Sequence, residues 1–255
     1  MKGSYLESLT WVKAGEIFKT DPVILLPIGA QAKQHGPHLP LNTDWLTAKY
    51  LTRQIVERLP VIALPTVAYG YYPAFIDYPG STTTDKETFA ATIVQIVHSI
   101  ARHGPQRFYL LNTGISTNWA LEPVRLQLIE DNIRLCYTDL TNILTELENN
   151  IAEQPRGSHA DEMETSMMLY MHPDKVKMEL AVTEVAPSLG PGPFTRNRTS
   201  TTGVISPSGS WGDPTLASAE KGKILVEALV AAIVDEIQQL GGPDFRPAPP
   251  NARYL

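Results

Sequence analysis

The residues best equipped for chemistry crowd into Gln34-His35-Gly36-Pro37-His38-Leu39-Pro40-Leu41-Asn42-Thr43-Asp44, which places two imidazoles and a carboxylate in eleven residues. Neutral imidazole and carboxylate oxygen are the ordinary ligands of a divalent metal such as zinc, and a loop rich in turn-formers lets them converge. His35 and Asp44 are the best ligand candidates. His38 suits a bracing role, donating to a carboxylate or a backbone carbonyl so as to lock the loop. The stretch directly follows the apolar run Val23–Ile28. A buried strand emptying into such a loop is how α/β enzymes present ligands at the carboxyl edge of a sheet.

Glu164 is the third ligand candidate. If residues 160–171 form a helix, Glu164 shares a face with Ala160, Met168 and Met171, while Met163, Met167 and Tyr170 form another stripe. A carboxylate among small and apolar side chains is costly to bury unless a metal, or a cation such as Lys33, relieves it. The alternative is a solvated Glu on a surface helix. Asp161 and Glu162 read as first-turn carboxylates favoured by the helix dipole. The segment Thr113-Gly114-Ile115-Ser116-Thr117 lies between a predicted strand and a predicted helix. Its N–H groups and hydroxyls suit an oxyanion at the helix N-terminus, or plain turn and cap chemistry. Ser116 lacks the Gly-x-Ser-x-Gly elbow of a nucleophile, so Ser116 and Thr117 are read as supporting or substrate-side residues. His98 falls off the apolar stripe of its helix and reads as solvated, and His103 and His172 fall near helix C-termini, where they need no function.

The elements that must position these groups alternate short apolar runs with amphipathic stretches. That pattern predicts a three-layer α/β/α sandwich with a mainly parallel central sheet. Strands are expected at Val23–Ile28, Val61–Pro65, Phe108–Asn112 and Leu135–Thr138, and helices beginning near Asp44, Thr84, Asn118, Asp139 and His159. Phe89, Ile93, Val97 and Ile100 form one helical stripe; Leu225, Leu229, Ile233, Ile237 and Leu240 form another before the stop at Gly241-Gly242-Pro243. Residues 183–214 read as a long irregular segment, an active-site cover or a subunit contact. The Pro-rich tail, residues 243–255, is expected to wrap over a neighbouring subunit.

The 255 residues suffice for one large domain spanning 1–255, with no linker or repeat to divide it. A net charge of -6 argues against nucleic acid as a partner. The lone cysteine, Cys136, excludes an intrachain disulfide and fits a reducing cytoplasm; it lies in an apolar stretch and reads as buried and inert. The first residues lack a signal-peptide core, and no segment is long and apolar enough to span a membrane.

Four ordered segments are similar to signatures of the creatininase (creatinine amidohydrolase) family. The first is Leu26-Pro27-Ile28-Gly29 followed by His35-Gly36-Pro37-His38-Leu39-Pro40 and Asp44. Pro79-Gly80-Ser81-Thr82 resembles the family's Pro-Gly-Thr turn. His159-Ala160 with Glu164-Thr165-Ser166 resembles its His-Ala-Gly-x-x-Glu-Thr-Ser segment, and Gly212-Asp213-Pro214 with Ala217 and Lys221-Gly222 its C-terminal segment. Together they cover roughly residues 8 to 240. The resemblance implies the same three-layer fold, a homo-oligomer, and metal-dependent hydrolysis of a C–N bond. It also implies roles for His35 as a metal ligand and for Asp44 as a bridging one. His159 then serves in proton transfer or in polarising a carbonyl, with a structural hydrogen bond as the competing use.

Two departures fall on one half of the family's binuclear site. Where members carry a Glu before the first loop His, this chain has Lys33; where they carry Asn-Gly-His-Gly-Gly-Asn, it reads Asn112-Thr113-Gly114-Ile115-Ser116-Thr117-Asn118, with no His. His35, Asp44 and Glu164, the set assignable to the other metal, remain. The pattern implies one ion per chain, zinc first with manganese or iron as alternatives. Lys33 becomes a built-in second cation that pairs with Asp44 and Glu164 and serves as acid or base. The expected substrate is a small molecule with an amide or cyclic amide bond, but not creatinine, because the segment around Ala74–Tyr78 lacks the Glu-His pair found in typical relatives. The competing reading is a member that has lost hydrolysis and binds a ligand or builds an assembly.

Overall fold

The computed structural model describes residues 2–185 and 192–255. At its centre is a five-stranded sheet of β1 (Ser4–Tyr5), β2 (Val23–Ile28), β3 (Ile62–Ala63), β4 (Arg107–Asn112) and β5 (Arg134–Tyr137), in the order β1-β3-β2-β4-β5 and parallel throughout. The helices are α1 (Trp11–Phe18), α2 (Thr43–Arg58), α3 (Lys86–Ala101), α4 (Asn118–Glu130), α5 (Leu140–Ile151), α6 (Glu162–Met171) and α7 (Ala219–Gly241). A two-stranded parallel pair, β6 (Phe194–Thr195) and β7 (Val204–Ile205), lies outside the sheet.

Side chains alternate across each strand and so build two cores. Leu25, Tyr109 and Leu111 meet α2, α5, α6 and α7 on one face; Ile24, Leu26, Ile28, Phe108 and Leu110 meet α1, α3 and α4 on the other. Burial on both faces explains why β2 and β4 read as continuous apolar runs. The stripe Leu225, Leu229, Ile233, Ile237 and Leu240 of α7 is core. Asp85, Asp139, Asp161 and Ser218 each cap the helix that follows by accepting a first-turn N–H.

The placement of α2 and α4 positions the site. Strands β2 and β4 pair from Val23↔Arg107 to Ile28↔Asn112. After β2 the chain passes to α2 on one face; after β4 it passes to α4 on the other. The two loops diverge at the carboxyl edge of the sheet, the switch point at which ligands bind in open α/β sheets.

Two expectations need correction. The tail packs on its own chain: Arg125 donates to the carbonyls of Ala248 (3.0 Å) and Pro249 (3.2 Å), and buried Tyr254 donates to Asp139 at 2.9 Å. The helix foreseen from His159 starts at Glu162, because Ala160 adopts φ 47° and Asp161 is the cap. Of the irregular stretch 183–214, residues 186–191 lie outside the described residues; the rest crosses over His159 with Phe194 and Trp211. Among the described residues no helix is long and apolar enough to cross a membrane.

Candidate metal centre

The loop after β2 turns back on itself and brings Lys33, His35 and Asp44 together at the start of α2. All three are almost fully buried. Gly36, at φ 66°, makes the reversal; a Cβ there would lie 2.4 Å from Ser210 Oγ. Asp44 is divided between two partners, Lys33 Nζ at 2.7 Å from Oδ2 and His35 Nε2 at 3.0 Å from Oδ1. Burial opposes its charge, but the Lys33 ammonium and His35 hold the carboxyl well below the usual carboxylate range.

The loop before α6 brings His159 to the same place. Its ring lies 5.1 Å from that of His35, and its backbone is fixed by a bond from Trp211 N–H to the His159 carbonyl at 2.8 Å. Glu164, in the first turn of α6, reaches toward both imidazoles, with Oε1 3.5 Å from His35 Nε2 and Oε2 3.6 Å from His159 Nδ1. The Ala160 N–H donates to Glu164 Oε2 at 2.6 Å, aimed there by the left-handed backbone of Ala160.

The outer edges of the two rings decide what the inner edges can do. His35 Nδ1 faces the Lys33 carbonyl at 2.9 Å, and His159 Nε2 faces the Gln34 carbonyl at 3.0 Å. A carbonyl only accepts, so both outer nitrogens carry hydrogen. The inner nitrogens, His35 Nε2 and His159 Nδ1, are left turned on a carboxylate. Burial first, then the neighbouring His35 and Lys33, drives the His159 pKa well below its ordinary value and keeps the ring neutral. Acceptors facing acceptors call for a cation between them, and ring N–H groups anchored on backbone carbonyls are the usual support of metal-binding histidines. Ligand atoms of His35, His159 and Glu164 all lie within 4.8 Å of one another, and this donor set fits a divalent ion.

His38 lies deeper, where burial, then His35, lowers its pKa to about 4; its Nε2 meets Thr165 Oγ1 at 2.8 Å, beside Glu164. Thr113 Oγ1 donates to the Asp44 carbonyl at 3.0 Å, so the loop after β4 abuts the centre, with Ser116 half-buried and Thr117 buried farther along it. Lys33 pairs with Asp44 and not with Glu164.

The sequence reading passed over Phe75, which packs on His159 at 4.1 Å between ring centres and lies 4.9 Å from Lys33 Nζ. It also undervalued Glu162. That side chain is fully buried, accepts from Glu153 N and Gln154 N, and pairs with Lys221 of α7. Neither residue lies in a periodic pattern that would single it out.

Comparison with known proteins agrees with this architecture. A family model described as creatininase, creatinine amidohydrolase, matches residues 7–237. The creatinine amidohydrolase of Pseudomonas putida is 28% identical, with 93% of this chain and 97% of that protein covered. A mycofactocin precursor peptide peptidase of Mycolicibacterium smegmatis is 27% identical, covering 86% and 85%. A crystal structure of creatininase superposes with a TM-score of 0.77 at 26% identity, covering 97% of this chain and all of that one. A manganese form of creatininase gives 0.75 at 24% identity, covering 96% and 100%. With its parallel sheet, its carboxyl-edge centre and a match over nearly its whole length, this chain belongs to the creatininase family, a family of hydrolases.

Proposed function

We propose that the protein is a metal-dependent amidohydrolase that opens the C–N bond of a small amide or lactam other than creatinine. The observation that carries this reading is the pair of imidazoles anchored on the Lys33 and Gln34 carbonyls, with their bare nitrogens turned on Glu164. His35, His159 and Glu164 would hold one ion, zinc first among the candidates. When bound, such an ion supplies Lewis acidity and an acidified water at neutral pH.

The chain's own groups do the rest. His159 stays neutral and is available as a ligand, which leaves Lys33 to move the proton. In the balanced step water adds its oxygen to the carbonyl carbon, the C–N bond breaks, Lys33 passes a proton to the leaving nitrogen, and the proton given up by the water returns to Lys33, leaving a carboxylic acid and a free amine. Lys33 donates from Nζ while Asp44, 2.7 Å away, holds the ammonium in place. Asp44 Oδ1 lies 3.0 Å from His35 Nε2, beside the same ligand atoms. Phe75, over His159 and Lys33, keeps bulk water from both. A cytoplasmic homo-oligomer completes the proposal, and light scattering on the purified protein tests the assembly.

The test of function is metal content on protein purified without added metal, repeated for His35→Ala and Glu164→Ala. One ion per chain, absent from both variants, together with release of an amine or ammonia from small amides or lactams, is the expected result. Two ions, or none after incubation with zinc or manganese, would overturn it; none would favour a ligand-binding protein.

A further inference from the structure

Beside the metal centre, across the Asp44 backbone, lies a set of polar groups that the hydrolytic reading leaves unused. Tyr72 Oη, Thr117 Oγ1 and Asn118 Nδ2 are buried without a hydrogen-bond partner; Thr117 and Asn118 are 0% exposed and Tyr72 is 2% exposed. An unmatched buried group of this kind costs about 1–3 kcal/mol, so three around one loop is a substantial local burden. Two glycines lie beside the hydroxyls. A Cβ on Gly114 would lie 2.9 Å from Thr117 Oγ1 and 3.8 Å from Tyr72 Cε1, and one on Gly70 would lie 2.9 Å from Tyr72 Oη. Gly114 has φ -119°, which any residue adopts, so glycine here leaves room beside the hydroxyl and serves no special backbone conformation.

The polarity of the cradle is one-sided. Asn112 Nδ2 donates to Asn118 Oδ1 at 2.8 Å, which fixes the Asn118 amide with its NH2 as the free end. That end only donates. Burial and the Asp44 charge raise the Tyr72 pKa, so its hydroxyl keeps its proton. A 3-10 turn, Ile115–Thr117, runs straight into α4 and its Ile115 carbonyl takes the Asn118 N–H, so the free donors here are side chains. Buried hydroxyl and amide donors without partners suit an anionic oxygen.

We infer that Tyr72, Thr117 and Asn118 form a carboxylate-binding subsite, and that the substrate is a small amide or lactam that carries a carboxylate. The inference rests on the hydrolytic reading for the word substrate, whereas the subsite itself stands on the orphaned donors. The subsite neighbours the reacting centre through Thr113, whose hydroxyl holds the Asp44 carbonyl and whose next residue is Gly114.

The test is binding of matched probes by calorimetry, to metal-loaded and metal-stripped protein: N-acetylglycine against N-acetylglycinamide, and pyroglutamate against pyroglutamamide, with acetate alone as control. The acid of at least one pair is expected to bind about tenfold more tightly than its amide, and more tightly than acetate. Thr117→Val and Tyr72→Phe should each remove about tenfold of that preference, the scale of one hydrogen bond to a charged group. Both variants should keep their metal content. Their unliganded melting temperature should hold or rise, since each loses an unmatched buried hydroxyl. No preference in either pair, a preference intact in both variants, or acetate binding as well as the acids would overturn the inference. An acid preference in metal-stripped protein without any turnover after loading would leave the subsite standing and sink only the hydrolase.

Discussion

Lys33 Nζ lies 2.7 Å from Asp44 Oδ2, and the two side chains are 6% and 2% exposed. This is a fully desolvated ion pair, and breaking one by removing a single partner costs about 3–5 kcal/mol because the other charge stays buried. Lys33→Met should therefore destabilise metal-stripped protein by about 3 kcal/mol in urea. Zinc should restore part of that loss, because Asp44, freed of its ammonium, becomes an additional ligand for the ion. A variant as stable as the parent would mean that Asp44 does not rely on Lys33 for its charge.

His159 divides two assignments, ligand and proton carrier. Its Nε2 is committed to the Gln34 carbonyl and its Nδ1 lies 3.6 Å from Glu164 Oε2. As a ligand, its loss in His159→Ala should weaken zinc binding by roughly 100-fold or more, read by competition with a chromophoric chelator. A proton carrier would instead leave zinc affinity unchanged and depress turnover alone.

The framework was legible where physics repeats along the chain. The run Val23–Ile28 matches β2 residue for residue, and the helix expected near Asp139 is capped by that residue. β1, β6 and β7 have only two residues each, too few for any period to emerge, and β3 keeps only Ile62–Ala63 of the strand expected at Val61–Pro65. The helix α1 shows little signal because Trp11 and Val12 point outward, leaving Ala14 and Phe18 as its buried contacts. At the site, the loop and the carboxylate of α6 stood out because residue type and spacing suffice to flag metal ligands. The tautomers of His35 and His159 depend on the Lys33 and Gln34 carbonyls, and a carbonyl has no sequence signature. For the same reason Tyr72, Phe75 and the pairing of Lys221 with Glu162 were missed, since the partners come from distant segments.

Acid-range stability offers a check on the neighbourhood of Glu164. Burial first, then the charges of Asp161 and Glu164, pushes the Glu148 carboxyl up to about 7. The folded state then keeps a proton that the unfolded chain releases from about pH 4.5 upward. Stability from this group is present at the acid end and is lost as pH rises from about 4.5 to 7. Glu148→Gln should flatten that slope in metal-stripped protein and gain on the order of 1–2 kcal/mol at pH 8, by denaturant titration at pH 5 and pH 8. An unchanged slope would show that Glu148 titrates as a solvated carboxylate.

The position of Glu164 depends finally on how α6 lies against α7. Gly222, in the first turn of α7, lets the two backbones touch: a Cβ there would lie 1.8 Å from the Ser166 carbonyl oxygen. Next to it Lys221 reaches across to the buried carboxylate of Glu162 and the carbonyl of Leu216. Ser166 Oγ closes the junction by accepting the Ser218 N–H at 3.1 Å. A methyl at 222 cannot be absorbed by a side-chain rotation, since it meets backbone, so α6 must move. Overpacking of this kind costs about 1–3 kcal/mol, and the displacement carries Glu164 away from His35 and His159. Gly222→Ala should thus lose about 3 kcal/mol of stability and also bind zinc more weakly, although residue 222 touches no ligand. Lys221→Met, which strands Glu162 without moving the helix, should match the loss of stability and keep most of the zinc affinity. Equal zinc affinity in both variants would show that the centre tolerates movement of α6.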